Sequence, residues 1–198
     1  MRLSWNIILA LRYKCKFEMD VYAMEMKGQK VLVVGAAVTG IPTVVELCRL
    51  GADVTLNDLK QKEEIPTIFQ ELKDCRFEFV GGGHPENLAE DFDFLVVSPG
   101  VPLSLPLIKK AVALGKEVIS EIELASRLTH TPIVAITGTN GKTTTTALLG
   151  EIMKATGRKT FVTGNIGHAM ITEVAHGKPE DVFVLEVSSF QLETTHRL

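Results

Sequence analysis

Seven consecutive residues carry the strongest chemical signal: Gly138, Thr139, Asn140, Gly141, Lys142, Thr143 and Thr144. They follow the apolar run Ile133-Val134-Ala135-Ile136 and precede a stretch with helical spacing. A glycine turn between a strand and a helix lets backbone amides converge on phosphate oxygens, and the helix N-terminus adds a positive partial charge. In such a loop Lys142 is expected to reach the β- and γ-phosphates of a nucleotide, with the Thr143 hydroxyl on Mg²⁺. The general pattern has a further glycine six residues before the lysine; Ile136 stands there, so the loop is the shorter Gly-x-x-Gly-Lys-Thr form. The plain alternative is a glycine turn capping a helix with a solvated lysine. A metal held this way needs an acidic partner, and Val182-Phe183-Val184-Leu185-Glu186 places one at the end of an apolar run, 43 residues beyond Thr143. Glu186 is therefore the expected second metal ligand and, with Lys142, a catalytic candidate; an ordinary strand-end glutamate facing water is the alternative.

A second glycine loop, Gly35-Ala36-Ala37-Val38-Thr39-Gly40, follows Val31-Leu32-Val33-Val34. It has the form of a dinucleotide fingerprint with alanine at the middle glycine. Asp58, 23 residues past Gly35, stands where an acid normally meets a ribose hydroxyl. This favours a Rossmann-like nucleotide site over NAD specifically, and a purely structural turn stays open. Ser98-Pro99-Gly100 and Gly164-Asn165-Ile166-Gly167 follow two further apolar runs, at the strand ends where ligands gather. His84, in Gly81-Gly82-Gly83-His84-Pro85, reads as a loop residue rather than a ligand.

The elements that must position these residues alternate regularly. Short apolar runs begin at Val31, Val54, Phe77, Phe94, Val118, Ile133, Thr160 and Val182. Such runs predict strands buried on both sheet faces. Helical spacing between them, as over 43–50, 106–114 and 143–156, predicts βαβ crossovers and mainly parallel sheets. The fold class is α/β: a Rossmann-like parallel-sheet unit over 27–120, then an incomplete phosphate-loop α/β unit over 121–198. Ser120-Glu121-Ile122-Glu123 reads as a capping box opening the second unit. With only three strands, that unit is expected to expose a sheet edge and so to favour self-association.

Composition narrows the class. The 198 residues carry 21 basic and 24 acidic side chains, for a net charge of −3, which argues against nucleic acid. Cys15, Cys48 and Cys75 are too few and too widely spaced for a disulfide framework or a metal cluster, so a reducing, cytoplasmic setting fits. Residues 1–26 hold a short apolar run, Ile7 to Leu11, too brief for a membrane span or a signal peptide. They read as an amphipathic or unstructured leader, or as an over-extended translation start.

Taken together, Gly138-Thr-Asn-Gly-Lys-Thr143, Gly35 to Gly40 with Asp58, Gly164-Asn-Ile-Gly167 and Leu185-Glu-Val-Ser-Ser-Phe-Gln-Leu192 resemble the Mur ligases over residues 27–198. The last two strings are similar to the branch that adds D-glutamate to UDP-N-acetylmuramoyl-L-alanine. The resemblance implies an ATP- and Mg²⁺-dependent, ADP-forming amide ligase of peptidoglycan synthesis that works through an acyl phosphate. It implies that Thr143 and Glu186 ligate Mg²⁺. It also implies that Asn165, Ser188 and Gln191 line the muramoyl pocket, and that Val38, Thr39, Asp58, Ser98, Pro99 and Gly100 hold the UDP end. Similar enzymes carry an arginine shortly after the acid, where this chain has Leu59-Lys60. The family's metal-binding histidine, its carbamylated lysine and its whole C-terminal domain lie downstream of the matched region. The 198 residues alone are therefore expected to bind nucleotide without turning over. An NAD-dependent oxidoreductase is the more distant alternative, and it leaves the Lys142 loop unexplained.

Overall fold

The computed structural model describes residues 25–196 and 198. Of the leader read at 1–26, all but residues 25 and 26 lies outside the described residues; Met26 is buried in the core. The first sheet holds β1 (Lys30–Val34), β2 (Asp53–Asn57), β3 (Phe77–Val80), β4 (Phe94–Val97) and β5 (Glu117–Ser120). All its pairings are parallel, in the order β3-β2-β1-β4-β5. The second sheet joins β6 (Ile133–Ile136), β7 (Thr160–Gly164) and β8 (Val182–Glu186), also parallel, in the order β6-β8-β7. Parallel neighbours require crossovers, and these are supplied by α1 (Gly40–Arg49), α2 (Pro66–Glu71), α3 (Pro106–Ala113) and, in the second sheet, α5 (Lys142–Ala155). Strand order reverses between β1 and β4, so the loops after those two strands diverge and open a crevice at the carboxyl edge of the first sheet.

Burial departs from the sequence expectation at the sheet margins. β4 and β8 are fully buried, and β1 and β2 are buried after their first residue. β3, β6 and β7 are instead only partly covered, whereas β5, also at a margin, is buried after its first residue because helices on both sides of it in sequence pack against it. Val134 of β6 and Leu148 and Ile152 of α5 stand 37%, 61% and 51% exposed. Among the described residues β6 pairs with β8 alone, whereas β7 also bridges to His168.

The two sheets meet along α4 (Glu121–Leu128), which packs on β4 and β5 and on the turn at Met170–Thr172. One half of the expected capping box forms, with the Ser120 hydroxyl accepting from the Glu123 amide at 3.3 Å. The reciprocal half does not. The Ser120 amide donates to the Thr194 carbonyl, and the Glu123 carboxylate takes Arg127 and the His196 amide. Tertiary partners outcompete the local cap, and they tie the end of the described chain to the base of α4.

Glu121 sits in this seam with one oxygen accepting from the Ile171 amide at 2.6 Å and the other without a partner. Loss of water around the carboxyl pushes its pKa up from 4.5 to about 7, against a smaller lowering by the Ile171 amide. The native state thus holds a proton that the unfolded chain releases at lower pH. Stability is expected to fall as pH rises from about 4.5 to about 7, and to level off above that. At about 1.4 kcal/mol per unit the full swing is about 3 kcal/mol. Glu121→Gln keeps an acceptor for Ile171 and cannot ionise. It is expected to flatten this slope and to raise stability at pH 8 by about 1–2 kcal/mol, as read by urea unfolding at several pH values.

Candidate functional site

β6 ends at Ile136, and the chain leaves the sheet there to form the loop that opens α5. Gly141 caps the helix in the left-handed conformation, φ 75°, which a side chain would resist. The turn is closed by the Thr145 amide on the Gly141 carbonyl, 2.9 Å, and by the buried Thr146 hydroxyl on the Lys142 carbonyl, 2.8 Å. Lys142 does not extend into solvent. Its Nζ donates to the Gly138 carbonyl at 2.7 Å, so the ammonium lies across the loop. Gly138, Thr139, Asn140, Thr143 and Thr144 are exposed, and the first turn of α5 holds no acidic residue. A 14-residue helix with free N-terminal amides, an adjacent ammonium and no carboxylate nearby in sequence is suited to a polyanion.

Glu186 ends β8, the central strand of the second sheet, in register with Ile136 of β6 and Gly164 of β7. Its carboxylate therefore stands at the same strand end from which the Gly138–Thr144 loop departs. It is only 2% exposed. One oxygen accepts from the Asn165 side-chain amide at 3.0 Å, and the other has no partner in the protein. A buried carboxylate oxygen left unpaired is costly, and a cation satisfies it. With the exposed Thr143 hydroxyl on the neighbouring loop, the donor set is hard oxygen, which suits Mg²⁺. β7 must run close by, since a Cβ on Gly164 would fall on the Glu186 carbonyl oxygen.

In the first sheet, the Gly35–Gly40 loop and the Ser98 turn leave β1 and β4 side by side. A Cβ on Gly40 would overlap the Gly35 carbonyl, so helix and loop approach as closely as backbone allows. The buried Ser98 hydroxyl donates to the Gly35 carbonyl at 2.9 Å and accepts from Thr39 at 3.4 Å, which ties the two loops together. Asp58 directly follows β2 rather than ending it, and its two oxygens accept from the Ala36 and Lys60 amides at 2.7 and 2.8 Å. Its carboxylate thus holds the loop in shape while keeping further lone pairs for a ligand. Val38 is 83% exposed, with Pro99 and Gly100 also in solvent. His84 is structural, hydrogen-bonded through Nδ1 to the buried Asn57 at 2.6 Å.

Between the two sheets lies a cavity of about 430 Å³. Ser98, Pro99 and Gly100 form one wall, and Phe190, Gln191 and Thr194 the other. α6 (Ser189–Leu192) supplies that second wall, and its start is locked by a reciprocal pair: the Ser188 amide donates to Gln191 Oε1 at 3.0 Å, and the Gln191 amide to Ser188 Oγ at 3.3 Å. Of the residues the sequence singled out, Ser98, Pro99, Gly100 and Gln191 share this cavity. Ser188 shapes it by capping α6, whereas Asn165 contacts Glu186 instead. Phe190, 67% exposed, and Thr194 were not expected in this cavity. An aromatic residue left in solvent beside a cavity is the signal that marks it, and it becomes visible only once burial is known.

Two family models match the chain: the Mur ligase MurD-like N-terminal domain over residues 29–120 and the Mur ligase middle domain over residues 136–198. The chain belongs to the Mur ligase family. This Mur ligase chain is 53% identical over 173 residues to the UDP-N-acetylmuramoylalanine–D-glutamate ligase of Alkaliphilus oremlandii, covering 86% of the chain and 38% of that protein. It is 49% identical, with the same coverage, to the protein of that name from Clostridioides difficile. Among solved structures it is similar to the UDP-N-acetylmuramate:L-alanyl-γ-D-glutamyl-meso-diaminopimelate ligase from Neisseria meningitides. That match has a TM-score of 0.49 and 17% identity, and covers 82% of this chain and 55% of that one. The chain thus spans well under half the length of the curated relatives it matches. No helix among the described residues is long and apolar enough to cross a membrane.

Proposed function

We propose that the chain carries the UDP-substrate and ATP sites of a cytoplasmic, ADP-forming ligase that joins D-glutamate to UDP-N-acetylmuramoyl-L-alanine. Residues 27–120 form the UDP-substrate unit and 121–198 part of the ATP unit. The observation that carries the reading is the unpaired, buried oxygen of Glu186 beside a loop whose Lys142 ammonium lies across it. The relatives' shared name supports the choice of substrate.

In the first step the L-alanyl carboxylate attacks the γ-phosphorus of ATP, giving an acyl phosphate and ADP. The amine of D-glutamate then adds to the acyl carbon, and phosphate leaves from the tetrahedral intermediate. Two anions must approach each other first, so the work of this chain is electrostatic. Loop amides from Gly138 to Thr144 cradle the phosphates, and Lys142 moves from the Gly138 carbonyl onto the β- and γ-oxygens. Thr143 and Glu186 would hold Mg²⁺, which offsets charge on the transferring phosphoryl group. Asn165 keeps the Glu186 carboxylate oriented through its 3.0 Å hydrogen bond. Gln191 and the Ser98-Pro99-Gly100 turn line the path from the UDP end, gripped by Val38, Thr39 and Asp58, toward the γ-phosphate.

An acyl phosphate survives only where water is shut out. The loop residues Gly138 to Gly141 are exposed, which supports binding of both ligands by these 198 residues without turnover. Titration calorimetry should give saturable binding of UDP-N-acetylmuramoyl-L-alanine and of Mg·ATP, with no ADP released on adding D-glutamate. Turnover by the chain alone, or absence of Mg·ATP binding, refutes the respective half of the proposal. The open margin at β6 also favours self-association, to be read by sedimentation at rising concentration.

A further inference from the structure

Cys48 and Cys75 stand 27 positions apart in sequence and line one cavity in the fold. Cys48 lies in the last turn of α1, and Cys75 in the connection between α2 and β3. The Cys48 thiol donates to the carbonyl of Arg76, the residue next to Cys75, at 3.4 Å, so the connection that carries Cys75 passes directly against the end of α1. Both are free thiols and only partly buried. They line a cavity of about 1070 Å³ together with Arg49, Asp74 and Arg76, so a small reagent reaches them from solvent. The same cavity is bordered by Lys30 and Asp53, the first residues of β1 and β2. It therefore opens at the amino edge of the first sheet, opposite the Gly35 loop and the Ser98 turn.

We propose that Cys48 and Cys75 form a reversible redox site, a dithiol that a low-molecular-weight disulfide converts into an intramolecular bridge between α1 and the strand-leading turn of β3. The step balances as thiol–disulfide exchange. One protein sulfur attacks the reagent disulfide and releases one reagent thiol. The second protein sulfur attacks the resulting mixed disulfide and releases the other. Two S–H bonds are lost from the protein, one S–S bond forms, and the reagent leaves as two thiols carrying the protons and electrons. Because the Cys48 sulfur already touches the backbone one residue beyond Cys75 and both thiols line one cavity, high local concentration drives the second attack. Burial and the neighbouring thiol push the Cys48 pKa up from 9.0 to about 11, so thiolate is scarce at neutral pH and closure takes minutes to hours. The bridge closes a loop of 27 residues in the unfolded chain and leaves the nucleotide-facing edge untouched.

The test uses the full chain carrying Cys15→Ser, incubated with glutathione disulfide, then quenched with iodoacetamide. The proposal expects a monomer that has lost two hydrogens, with no alkylated thiol and a digest containing the Cys48–Cys75 linked peptide. It also expects Tm to rise by about 5–10 °C, a rise reversed by dithiothreitol, with Mg·ATP affinity unchanged. Cys48→Ala and Cys75→Ala should each stop at a single glutathione adduct or a free thiol. Stable double adducts, bridges only between chains, two alkylatable thiols after prolonged incubation at pH 8.5, or a bridge that lowers Tm would each overturn it.

Discussion

Replacing Lys142 with alanine is expected to weaken Mg·ATP binding at least tenfold while leaving UDP-N-acetylmuramoyl-L-alanine binding unchanged. The ammonium makes one strong contact in the free protein, 2.7 Å to the Gly138 carbonyl, and that partner lies on an exposed loop. Water replaces it there at little cost, so the substitution barely touches stability. In the proposed nucleotide complex the same group faces two phosphates. A hydrogen bond to a charged partner is worth about 1.5–3 kcal/mol, which converts to roughly a 10- to 150-fold change in affinity. The proposed UDP site lies at the other sheet, where Ser98 ties its loop to Gly35, and that bond does not involve Lys142. Calorimetry on Lys142→Ala with each ligand in turn separates the two sites. A change below threefold for Mg·ATP would mean the loop does not hold the triphosphate, and a matching loss of both ligands would point to misfolding.

What the sequence makes legible follows from how local each signal is. β1, β4 and β8 declare themselves as unbroken apolar runs because helices and neighbouring strands cover both their faces, and runs of that kind have few other uses. The Gly138–Thr144 loop is equally readable, since its function lies in the main chain and glycine spacing reports main-chain shape directly. Strand ends follow the apolar runs closely, and α1 begins at Gly40, where the glycine loop opens the helix, three residues before its apolar spacing becomes regular. The Ser120 cap failed by half for a different reason. Its expected partner, Glu123, is claimed by Arg127 and by the His196 amide 73 residues away, and no local rule weighs such a competitor. Asn165 shows the same limit, because a residue in a Gly-Asn-x-Gly turn reads as turn-forming or ligand-binding, and only the return of β8 beside it brings Glu186 within 3.0 Å. The inter-sheet cavity was least visible. Phe190 and Thr194 enter it through the placement of a single helical turn, which depends on contacts across the whole chain.

Gly164→Ala is expected to be among the most damaging single-methyl additions in the chain, and to damage the proposed Mg²⁺ site at Glu186 first. Gly164 sits at φ 104°, where an L side chain is strained, and its added Cβ would fall on the Glu186 carbonyl and 2.7 Å from Leu185 Cδ1. Backbone cannot swing aside as a side-chain tip does, so β7 and β8 must separate where Gly164 pairs with Glu186. Gly157→Ala provides the control. That residue has a comparable backbone, φ 84°, but nothing within 4 Å of an added Cβ, so it reports the conformational strain alone, about 1 kcal/mol. Overlap with backbone adds about 1–3 kcal/mol on top for Gly164→Ala. Loss of the 2.9 Å hydrogen bond from the Asn165 amide to the Glu186 carbonyl comes with it. Urea unfolding should therefore rank wild type, Gly157→Ala and Gly164→Ala in falling order, the last by about 2–4 kcal/mol in total. Where Gly164→Ala still folds, displacement of Glu186 should raise the Mg²⁺ concentration needed for half-maximal ATP binding by tenfold or more, with the Gly157→Ala value unchanged. Equal stability of the two variants would show that β7 and β8 have room to spare at their carboxyl ends, and that the close packing inferred around Glu186 does not exist.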